Sequence, residues 1–116
     1  MKAVAQLRAE LSALPGVVEA SSRFGRHPAW RIDGREFAHL HSDSLIDLRL
    51  PRLAQARLRK DPRAHFRRHP SAWVELEFHT AQDVLDLLVL AQQAAKAAKR
   101  WATRSVASHD ESTQKR

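Results

Sequence analysis

The sequence predicts an α+β two-layer sandwich, an antiparallel sheet with helices packed on one face and the other face open. Three observations carry this. Apolar and polar residues alternate with period two through much of residues 17–79, as half-buried strands do. The gaps between most of these runs are short turns, which join antiparallel neighbours but cannot cross over a sheet. Helical periodicity is confined to the start, a brief middle segment and the stretch after residue 80, giving the order α-β-β-β-β-α-β-β-α.

The first helix spans about Lys2 to Leu14, with Val4, Leu7, Leu11 and Leu14 on one stripe, and Pro15-Gly16 ends it. Val17 to Phe24 alternates, with Val18, Ala20 and Phe24 on the inner side. Gly25-Arg26-His27-Pro28 is a turn signal. Ala29 to Ile32 is a short strand, and Asp33-Gly34 is the strongest two-residue hairpin signal in the chain.

That turn leads into Arg35 to Leu50, REFAHLHSDSLIDLRL, which reads as a hairpin closed by Ser42-Asp43-Ser44. Pairing His41 with Leu45 puts Leu40 opposite Ile46 and Ala38 opposite Leu48 on an apolar face. His39 then faces Asp47 and Phe37 faces Arg49 on a polar one. A two-residue loop at Asp33-Gly34 sets Trp30 opposite Phe37, on the histidine face.

Pro51 suits the first turn of a helix, supported by Leu53, Ala54, Ala56 and Leu58 and ending before Asp61-Pro62. Ala64 to His69 is an edge strand with His65, Arg67 and His69 on one side. Ala72 to His79 points Val74, Leu76 and Phe78 inward and Trp73, Glu75, Glu77 and His79 outward. Thr80-Ala81-Gln82-Asp83 starts the last helix in capping-box fashion, with Val84, Leu85, Leu88, Ala91, Ala95 and Ala98 as its apolar stripe. Residues 1–104 form one domain, and 105–116, low in hydrophobicity and without period, read as a disordered polar tail.

At 116 residues, 43% apolar and 28% charged, the chain falls within ordinary globular composition. It has no cysteine, which excludes disulfides, thiolate zinc sites and a cysteine nucleophile. Charges run through the opening MKAVAQLRAELSAL, and Asp86 interrupts the longest apolar run, so no signal peptide, membrane span or membrane partner is expected, and the expected compartment is the cytoplasm. The net charge of +7 is uneven. Residues 51–70 hold seven basic residues against one acidic, whereas residues 71–90 hold four acidic and no basic ones.

Two constellations follow. The outward face offers Trp30, His39, His41, Asp47, Arg49, Trp73 and Glu75 as a ligand face. His39 and His41, two imidazoles on one side of a strand, are the candidate metal ligands, suited to zinc, manganese or ferrous iron if a third ligand comes from a neighbouring strand. The basic block Arg52, Arg57, Arg59, Lys60, Arg67 and Arg68 is the candidate nucleic-acid surface, with Trp30 and Trp73 as stacking partners. No nucleophile, phosphate loop or nucleotide fingerprint accompanies either.

Leu14-Pro15-Gly16-Val17, Phe37 to Asp47 (FAHLHSDSLID), Leu50-Pro51, Pro70-Ser71-Ala72-Trp73-Val74, and Asp83 before a Leu-rich helix together resemble the small bacterial proteins called luciferase-family or luciferase-domain proteins. That label is inherited naming, not an established light-emitting activity. More distantly the arrangement is similar to YjbR/MmcQ-like proteins, a resemblance that implies a double-wing or frataxin-like α+β fold and DNA binding. The chain departs from the family pattern at Ala72, where Gly is usual, and at Gln92-Gln93, where a Ser-Tyr pair is common.

The reading is therefore a YjbR-like sandwich acting as a non-enzymatic binding module without a cofactor, nucleic acid its partner. The alternative is a small-ligand or metal-dependent enzyme using the His39/His41/Asp47 face. A homodimer formed through the open sheet face, burying Trp30, Phe37 and Trp73, is the third expectation.

Overall fold

The computed structural model describes residues 2–22 and 25–114, with side chains as far as Arg100. The chain runs α1 (Ala3–Ser12), β1 (Val17–Ser21), β2 (Pro28–Ile32), β3 (Arg35–Ser42), β4 (Leu45–Arg49), α2 (Arg52–Arg57), β5 (Ala64–Phe66), β6 (Trp73–Glu77) and α3 (Ala81–Gln114). The six strands form one antiparallel sheet in the order β1-β2-β3-β4-β6-β5. Fold class and element order are those the sequence predicts.

α3 lies across β2, β3 and β4, and α1 packs against α3 and β1. Leu7 and Leu11 of α1 meet Ala38, Leu40, Ile46, Leu48, Val74, Leu76 and Phe78 from the sheet and Val84, Leu87, Ala91, Ala94 and Ala98 from α3 in one core. Thr80 caps α3: its Oγ1 accepts from the Asp83 amide, and Asp83 Oδ2 accepts from the Thr80 and His79 amides. Backbone helix continues beyond Arg104, where composition ends the domain, to Gln114; residues 115 and 116, and Phe24 of the first predicted strand, lie outside the described residues.

Asp33 (φ 49°) and Gly34 (φ 77°) form the predicted two-residue turn with both central residues left-handed, the conformation that matches strand twist in a hairpin. Beyond it the register differs from simple alternation. Arg31 pairs with Glu36, but Trp30 pairs with Ala38, leaving Phe37 as an extra residue in β3. Trp30 and Phe37 are both fully buried in the core, and Trp30 Nε1 donates to Ser12 Oγ of α1 at 3.0 Å. Alternation expects both aromatics on the histidine face, but neither is there: Trp30 has no exposed surface to offer a ligand or a stacked base, and two of the three aromatics of the expected dimer surface are interior.

A second irregularity lies at the other end of β3. Ala38↔Leu48, His39↔Asp47 and Leu40↔Ile46 pair as predicted, but Leu45 pairs with Ser42 rather than His41. The turn is thus two residues, Asp43-Ser44, and His41 is the extra one. Three smaller corrections follow from packing. Val17, not Val18, turns towards the core of β1, with Val18 63% exposed. Leu87 and Ala94 take inward places on α3, while Leu85 is 52% exposed. β5 stops at Phe66, so Arg67 and His69 belong to a loop.

Candidate functional site: a buried aspartate beside an arginine groove

His39 and Asp47 are direct partners across β3 and β4, on the sheet face opposite α3, yet His39 is 4% exposed and Asp47 fully buried. The ring of Trp73, from β6, lies 4.8 Å from that of His39, and Arg67 reaches in from the loop after β5. Three cationic or imidazole nitrogens converge on one carboxylate oxygen: His39 Nε2 at 2.9 Å, His41 Nε2 at 2.8 Å and Arg67 Nη2 at 2.9 Å, all from Asp47 Oδ2. Asp47 Oδ1 is equally buried and has no hydrogen-bond partner among the described residues. An orphaned buried acceptor costs about 1–3 kcal/mol, more when charged.

The bulges build this cluster. The extra residue at Phe37 brings Glu36 to the same side as His39, although three positions apart in a regular strand would put them on opposite sides. Glu36 Oε2 lies 3.1 Å from His39 Nδ1 and accepts from Ser22 Oγ at 2.9 Å. His41, freed from the ladder, turns its ring to Asp47, edge-on to His39 at 5.1 Å. Its side chain is 34% exposed, and Glu75 Oε1 of β6 is 4.0 Å from its Nε2. His27 completes the rim, its ring 6.0 Å from that of His41.

Burial works against ionisation of Asp47, but the hydrogen bonds from His39 and His41, with their charges, outweigh it and hold the carboxyl below its ordinary range. His39, His41 and Asp47 each offer one ligand atom, all within 4.8 Å of one another.

Arg67 also belongs to a second feature. A groove of about 960 Å³ opens between α2, the loop at residues 67–72 and α3, with Arg49, Arg52, Arg59, Arg67 and Arg68 among its lining residues and, among the described residues, neither Asp nor Glu. Gln55 of α2 fixes its base, donating to the carbonyls of Leu50 and Ser71 at 3.0 Å each. Arg59 lies over the Phe66 ring at 4.4 Å. Ala94, Ala97 and Ala98 form the α3 wall, their small side chains leaving the space.

Of the ligand face read from sequence, His39, His41, Asp47, Trp73 and Glu75 come together; Arg49 lies at the groove and Trp30 is in the core. Of the basic block, Arg52, Arg59, Arg67 and Arg68 share the groove, while Arg57 and Lys60 do not line it. Glu36, Ser22 and the Arg67–Asp47 bond are additions. No alternation count places Glu36 beside His39, because only the bulge does so.

A family model described as the luciferase domain matches residues 34–94, just over half of the chain. The chain belongs to the luciferase-domain family. The matched span begins at the Asp33-Gly34 turn and ends in α3, so the Glu36–His39–Asp47–His41 cluster and most of the groove lie within the luciferase domain. Ala72 lines the groove. No curated protein matches the chain.

Proposed function

We propose that this luciferase-domain protein is a binding module whose arginine groove holds the phosphate backbone of a nucleic acid. The observation that carries the reading is the groove's composition, five arginines and no acidic residue among the described lining residues. Arg52 and Arg68 are exposed, and an exposed guanidinium presents a planar fork of donors that suits phosphate. Gln55 and Ser71 add neutral hydrogen-bonding groups. The acidic residues of β6 point elsewhere: Glu75 lies by His41, and Glu77 bonds His65. Each phosphate neutralised releases counterions and steepens the salt dependence of log K by about 0.9 for duplex DNA and about 0.7 for single strands.

Fluorescence anisotropy with labelled mixed-sequence single- and double-stranded oligonucleotides tests this. Binding is expected at low salt, falling steeply as salt rises. Arg52→Ala/Arg68→Ala should weaken it and flatten the log–log salt slope by about two contacts' worth. No binding of either strand type at low salt, or an unchanged slope in the double variant, would overturn the reading.

A further inference from the structure

We propose that His39 Nε2, His41 Nε2 and Asp47 form a binding site for a divalent first-row transition ion of the zinc type, with Arg67 occupying the ion's electrostatic place until it enters. This site does not rest on the nucleic-acid reading and uses different chemistry, although Arg67 is common to both. Two imidazoles and one carboxylate are a donor set that such ions accept readily, with positions left for water or a further ligand.

Three observations support it beyond the residue types. The three ligand atoms already lie within 4.8 Å of one another, so small side-chain rotations would seat an ion among them. Asp47 is fully buried but directs every bond through Oδ2 and leaves Oδ1 without a partner among the described residues; an ion bound by both oxygens would satisfy each. Glu36 stands 3.1 Å from His39 Nδ1 and is itself held by Ser22. A carboxylate on the far nitrogen of an imidazole orients the ring and leaves Nε2 as the metal-binding atom.

The half-exposed His41 ring and the Arg67 side chain, 44% exposed, form the entrance. Arg67 can swing towards the groove it also lines without losing solvation. Glu75 Oε1, 4.0 Å from His41 Nε2, is placed as a fourth ligand.

The test is metal titration of the purified full chain after chelator dialysis, with Zn²⁺ followed by calorimetry and Co²⁺ by its visible ligand-field absorption. One ion per chain is expected, with the Co²⁺ spectrum of a four- or five-coordinate nitrogen–oxygen site and a Zn²⁺-dependent rise in the unfolding midpoint. His41→Ala, at a half-exposed position, should keep the fold and lose the site. Glu36→Gln should weaken Zn²⁺ by about 10–100-fold while leaving stoichiometry at one. Arg67→Met should bind as tightly or more tightly. His65→Ala/His79→Ala, which dismantles the separate exposed cluster around Glu77, should change nothing. Absence of stoichiometric binding, retention of it in His41→Ala, or its loss in the His65/His79 variant overturns the proposal.

Discussion

Replacing Asp47 by Asn probes the centre of the site with almost no change in volume. The carboxylate holds three donors on Oδ2 at 2.8–2.9 Å. Their environments differ, and so must their worth. His39, 4% exposed, cannot exchange its bond for water, so losing the charge there costs about 1.5–3 kcal/mol. His41 and Arg67 are 34% and 44% exposed at the side chain; each can rehydrate and contributes about 0–1 kcal/mol. The orphaned Oδ1 brings no relief, because the Asn amide nitrogen would meet the same unpartnered space. The expected loss is about 2–4 kcal/mol, a fall of roughly 8–16 °C in midpoint at about 4 °C per kcal/mol, the figure for a domain somewhat over 100 residues. Urea unfolding followed by circular dichroism at neutral pH measures it. The carboxyl is depressed in the folded state, so its contribution is full above the unfolded value of 3.8 and disappears as pH falls through the lower folded one; the Asn variant should lack that segment of the acid profile. A loss below about 1 kcal/mol, or an acid profile unchanged by the substitution, would refute the reasoning.

Arg63 bonds Asp61, Asp83 and Asp86, each at 2.8 Å, tying the connection before β5 to the start of α3. Arg63→Met should cost about 1–2 kcal/mol after allowing for its 35% exposure, and the cost should shrink with added salt. The His79 amide and then Arg63 hold the Asp83 carboxyl down at about 2, so this stabilisation is present above pH 3.8, lost as pH falls towards 2, and smaller in the variant by acid titration of unfolding. Trp30→Phe removes the bond to Ser12 and part of a buried ring, for about 1–3 kcal/mol by chemical unfolding, and should leave oligonucleotide affinity unchanged; a fall in affinity at full folding would return Trp30 to the binding surface. Gly34→Ala should cost about 1 kcal/mol from its φ of 77° alone, since nothing lies within 4 Å of the added Cβ.

What the sequence made legible was whatever depends on local period and turn chemistry. The Asp33-Gly34 turn, the Ala38/Leu48 and Leu40/Ile46 pairs, the His39–Asp47 partnership and the Thr80 cap all follow from residues within a few positions of one another. The bulges at Phe37 and His41 were not legible, because an extra residue has no composition of its own and is decided by which side chains the core needs. Trp30 illustrates this: alternation sends it outward, but a ring of that size is stabilised far more by the core, where it is fully buried and bonds Ser12 of α1, than by a wet sheet face. The α3 stripe departs from the expected one for a related reason. Leu85 and Leu87 are equally apolar, and only the angle at which the helix crosses β3 selects between them. Arg67 belongs by sequence to a basic block, and its bond to Asp47 depends on a loop whose path no periodicity describes.

The bulge at Phe37 also ties backbone length to chemistry across evolutionary time. Deleting the extra residue between Glu36 and the His-Leu-His segment would restore regular alternation and leave the carboxylate two positions before the first histidine, still on its side of the sheet. Relatives one residue shorter in this interval should therefore carry their acidic residue two positions before the first histidine instead of three, and lack a counterpart of the buried Phe37 ring. Chain length at that single point sets the spacing at which the carboxylate of this cluster is to be sought in each member.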